Sequence, residues 1–119
     1  MINIEVDEGY AFDYLSIQEV KMTENKRGEE IFLANYLHCY QFLLDQCGEV
    51  IFYKIVNSDF YNDLLKVNEK LFNYVIQARN NECTAKEVDD TNNERYLAKK
   101  ALREKFFPSK EGAIHEKKF

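Results

Sequence analysis

Between residues 29 and 47, Leu33, Tyr36, Leu37, Tyr40, Leu43, Leu44 and Cys47 fall at i, i+3, i+4, i+7, i+10, i+11 and i+14. A strand would alternate every second residue, so this spacing specifies an α-helix with an apolar stripe turned to a core. Phe32, Cys39 and Phe42 make a second stripe beside the first, so burial on more than one side is expected. Glu29 and Glu30 suit the positive end of the helix dipole, and Gly48 suits a C-terminal stop. The pattern returns beyond Ser58 and Asp59, which supply an N-cap. Phe60, Tyr61, Leu64, Leu65, Leu71, Phe72, Val75 and Ile76 then mark a helix in which Asn68 is the one polar residue of the stripe. Leu37, Leu44, Leu64, Leu71 and Phe72 stand at the centres of these two stripes and are the expected core.

The rest of the chain follows the same period with weaker signals. Tyr10, Tyr14 and Ile17 recur at i, i+4 and i+7, broadened by Phe12, Leu15 and Met22, which predicts a helix over 10–25. Residues 49–57 are rich in β-branched and aromatic side chains, yet Ile51, Phe52, Ile55 and Val56 also fit a helix, and flanking helices favour that choice. The last helix has two candidate starts, because Thr84-x-x-Glu87 and Thr91-x-x-Glu94 both match a capping box. Its apolar face reads Leu97, Ala98, Ala101, Leu102 and Phe106, and Pro108 limits it. Residues 2–6 alternate apolar and polar, the mark of a short strand or extended arm ended by Gly9. The expectation is mainly α: a single-domain bundle of four to five helices over residues 1–108, with a short N-terminal extended arm or strand, and a flexible charged C-terminal tail at 109–119.

Charge is unevenly spread. The chain of 119 residues has a net charge of −5, but residues 91–119 carry eight basic and four acidic side chains. An acidic whole argues against a general nucleic-acid binder. Cys39, Cys47 and Cys83 are odd in number and form no CxxC, and they read as reduced thiols of a cytoplasmic protein. The first residues have neither the basic nor the apolar region of a signal peptide, and an apolar run such as residues 50–53 is too short to cross a membrane.

No catalytic residue, metal ligand set or cofactor motif emerges. His38 and Cys39 are helix neighbours that point about 100° apart, so they make no dyad. His115 stands alone in the tail. The acids Glu82, Glu87, Asp89, Asp90 and Glu94 read as a solvated face. Two constellations remain. Arg95, Lys99 and Arg103 recur at i, i+4 and i+8, with Lys100 and Tyr96 beside them, and make a basic partner-binding face. The alternative is a ligand site at Tyr10, Asp13, Tyr14 and His38, where acids stand among aromatics. The reading is a small interaction or regulatory module with a protein partner or self-association. A small helical enzyme or ligand binder is the alternative, and a phosphate or nucleic-acid contact through the last helix the second.

Overall fold

Each helix begins and ends where local chemistry stops it. The Asp7 backbone is extended, and its carboxylate accepts from the Tyr10 amide at 2.9 Å. That bond satisfies a first-turn amide which has no partner within the helix. Helix α1 therefore spans Glu8–Thr23, starting two residues before its apolar pattern does. After it, the Asn25 side chain donates to the Glu29 carbonyl at 2.7 Å and accepts from the Glu29 amide at 3.2 Å, closing the turn into α2, Glu30–Cys47. Gly48 ends α2 with a φ of 83°, a conformation that favours glycine, and α3 follows at once over Glu49–Val56. The ambiguous segment is thus a helix, with Phe52 and Ile55 fully buried on one side. The Ser58 hydroxyl accepts from the Tyr61 amide and caps α4, Asp59–Arg79.

The last helix, α5, spans Ala85–Phe106 and starts at the first of its two candidate boxes. The Thr84 hydroxyl accepts from the Glu87 amide, and the Glu87 carboxylate accepts from the Thr84 amide. Thr91 lies inside the helix, buried, with its hydroxyl donating to the Glu87 carbonyl. The computed structural model describes residues 5–25, 27–81 and 84–108, and these form five helices and no strand. Most of the expected arm at 2–6, together with Cys83, Glu82, His115 and the expected tail at 109–119, lies outside the described residues.

Helix α1 is central and packs against α2, α4 and α5, while α3 connects α2 back to α4. Phe12, Leu15, Leu43, Phe52, Ile55, Tyr61, Leu64, Val67 and Leu102 form one buried cluster. The ring of Phe52 is at its middle, 6.1 Å from Phe12 and edge-on to Tyr40 at 4.7 Å.

Several expected faces are rotated. Leu64 and Leu71 are core residues, and Leu44 and Phe72 are half-buried, but Leu37 is 53% exposed. The side of α2 turned inward is the seam between its two apolar stripes: Leu43 is buried, Phe32, Tyr36 and Cys39 are half-buried, and Leu33, Leu37 and Phe42 face out. With α1 and α3 as its main neighbours, α2 has only one side covered. On α1 the expected stripe holds only in part: Phe12 and Leu15 are fully buried, but Tyr10 and Tyr14 are exposed, and Gly9, Asp13, Ser16 and Val20 are buried at i, i+4, i+7 and i+11. On α5, Leu97 and Ala101 are exposed, and the inward register is Thr91, Arg95, Ala98 and Leu102.

Candidate functional site

Those inward registers bring polar groups from three helices together. The Asp13 carboxylate, 1% exposed, accepts from Asn68 Nδ2 at 2.9 Å and from Arg95 Nε at 3.0 Å, with Arg95 Nη2 on its second oxygen. Asn68 Nδ2 also donates to Ser16 Oγ at 2.6 Å, and Ser16 Oγ donates to the Asp13 carbonyl. The bidentate bond to Asp13 raises the Arg95 pKa above its already high ordinary value. Charge and hydrogen-bonding capacity are matched here, and among the described residues no buried side-chain polar atom lacks a partner. This cluster ties α1, α4 and α5 together. Asp13 is therefore withdrawn from the expected ligand site, and Arg95 from the expected partner-binding face.

What remains of the basic face meets α1. Lys99, Lys100, Arg103 and Tyr96 line a hollow of about 280 Å³ with Asp7 and Tyr10 across from them. Gly9 makes this approach possible: a Cβ there would lie 3.0 Å from the Lys99 carbonyl oxygen and 3.3 Å from Arg103 Cβ. The Lys99 ammonium stands 6.0 Å from the centre of the Tyr10 ring, within reach of a cation–π attraction. None of Lys99, Lys100 and Arg103 is ion-paired with a described carboxylate. Among the described residues Asp7 is the only acid lining the hollow, and it is already engaged with the Tyr10 amide.

Tyr10 also lines a second hollow. Between α1 and α2 an open groove of about 410 Å³ is bordered by Val6, Tyr10, Tyr14, Asn35, His38 and Phe42, over Ala11, Cys39 and Leu43. The structure thus unites Tyr10, Tyr14 and His38 of the expected ligand site. Asn35 and Phe42 were missed, although Phe42 stands four residues from His38 and so on the same helix face. Burial pushes the Cys39 thiol up to about 11, so at neutral pH it is protonated and a poor nucleophile. Cys39 and Cys47 are free and half-buried. Among the described residues no group of three potential metal ligands converges, and no helix is long and apolar enough to cross a membrane.

A third cluster is structural. Glu19 accepts from the Tyr61 hydroxyl at 3.2 Å, tying α1 to α4, and stands close enough to Tyr36 of α2 to act on its hydroxyl. Burial first, and Glu19 second, push the Tyr36 hydroxyl up to about 12 and raise Tyr61 as well.

Nothing in the sequence or the architecture ties these hollows to a characterised protein: no family model, no curated protein and no solved structure matches the chain.

Proposed function

We propose that the chain is a non-catalytic interaction module that docks a peptide segment of a partner protein across the outer side of α1. The observation that carries this is the double position of Tyr10. On one side of it lies an apolar groove with exposed Tyr14, Phe42 and Val6, and on the other a hollow with three cations that pair with no described carboxylate. A segment with apolar side chains beside a single anionic group fits both hollows at once. Tyr and Arg are residues favoured at such interfaces. The acidic remainder of the molecule repels long polyanions, which weighs against nucleic acid as the occupant. Two free, half-buried thiols fit a reducing, cytoplasmic setting.

Degenerate peptide libraries built around a fixed central residue, anionic in some and neutral in others, test the reading when titrated into the isotope-labelled full chain. The expected outcome is binding of an anionic library with shifts at Tyr10, Tyr14, His38, Phe42, Lys99 and Arg103. Phe42→Glu should abolish it, because it places a charge on the exposed apolar wall without touching the buried cluster. Absence of binding by every anionic library, or shifts confined to α3 and the far end of α4, overturns the proposal.

A further inference from the structure

Resting on that docking reading, we infer that the anionic group seated between α1 and α5 is the phosphate of a phosphotyrosine. The lining of the hollow carries three formal positive charges, on Lys99, Lys100 and Arg103, against one negative charge on Asp7. A carboxylate would match only part of that excess, whereas a phosphomonoester carries about −1.5 to −2 at neutral pH. Arg103 supplies a planar donor fork suited to phosphate, and Lys99 and Lys100 supply point charges. At about 280 Å³ the hollow admits one side chain and not a helix or a duplex. Its aromatic members decide which phosphorylated side chain. Tyr10 is 50% and Tyr96 57% exposed, so the hollow offers aromatic surface to a guest. A phosphorylated tyrosine places its own ring at that level as its phosphate reaches the cations. A phosphorylated serine has nothing to set against the rings. The apolar groove beyond Tyr10 then takes the residues flanking the phosphotyrosine.

The test uses the full chain and four degenerate peptide libraries, identical except for a central phosphotyrosine, phosphoserine, Glu or Tyr. The phosphotyrosine library should bind at least about tenfold more tightly than the Glu library. Its affinity should fall as the pH is lowered through about 6, where the phosphate takes up a proton, and should fall with added salt. Lys99→Gln and Arg103→Gln should each weaken it by about tenfold, while Tyr96→Ala should narrow its advantage over phosphoserine. The comparison between libraries is made on the unaltered protein, so it stands even where a variant folds poorly. Equal binding of the phosphotyrosine and Glu libraries, or of the phosphotyrosine and phosphoserine libraries, overturns this inference and leaves the docking reading in place. Failure of all three anionic libraries overturns both.

Discussion

Helices α1 and α2 are similar in length and lie side by side, yet they are used in opposite ways. α2 is the more apolar of the two by sequence, with Ile31, Phe32, Leu33, Leu37, Phe42, Leu43 and Leu44 around its circumference, and only one of its residues, Leu43, is buried. α1 interleaves acids, tyrosines, Ser16 and Gln18 with its apolar residues, and seven of its residues are buried. Position explains the inversion. α1 is surrounded by three neighbours, so even its polar side chains go inside and must find partners there. α2 covers one flank of α1, so among the described residues part of its apolar surface has nothing to pack against. Burial is decided by how many neighbours a helix has, and hydrophobicity sets what that burial costs.

The largest expected effect is at Asp13. Asp13→Ala removes the only described acid bonded to Arg95 and takes an acceptor from Asn68, at a cost of about 3–5 kcal/mol, tempered because Arg95 can reach water. Replacing Asp13, Asn68 and Arg95 together with Leu, Leu and Met should cost less than the single change, because no polar group is left stranded. Urea denaturation of the two variants measures both. A triple variant less stable than Asp13→Ala would show that the cluster supplies more than polar satisfaction.

A second pair of variants sets the two sides of α2 against each other. Leu43→Ala should cost about 2–5 kcal/mol, as for a buried leucine. Leu37→Ala, on the exposed side, should stay within about 0.5 kcal/mol. Similar losses at both positions in thermal unfolding would mean that α2 has a partner on its outer side.

Gly9→Ala comes next. The added methyl meets the Lys99 carbonyl oxygen, which is backbone and cannot swing aside, so α1 and α5 must shift apart by a few tenths of an ångström. The expected cost is about 1–3 kcal/mol. A neutral result by the same denaturation assay would indicate slack between the two helices.

The smallest effect appears in alkali. Tyr36 and Tyr61 ionise above their ordinary value when folded, so the folded state holds protons that the unfolded state has released. Their contribution is complete below about pH 10 and declines as the pH rises toward and past 12. Tyr61→Phe should lose about 1 kcal/mol at neutral pH through the missing hydrogen bond to Glu19, and should flatten the alkaline decline. An unchanged slope of stability against pH above 10 would remove Tyr61 from that role.

Local signals determined the helices. The three-and-four spacing, Ser58 and Thr84 as caps and Gly48 as a stop all act within a few residues, so they can be read without knowing what lies across the bundle. Half of each candidate site was legible for the same reason: Lys99, Lys100 and Arg103 share a side of one helix, and Tyr10 and Tyr14 are one turn apart. The tertiary structure decided which side of each helix turns inward. Asn68 stands inside an apolar stripe with no visible partner, while Asp13 and Arg95 look, one helix at a time, like parts of a ligand site and of a binding face. Only when α1, α4 and α5 meet does each become the partner that makes the others' burial affordable, and only then are Tyr10 and Tyr14 left facing out. The physical reason is that an ion pair bonded across helices removes the penalty by which a polar residue would otherwise announce an outward face.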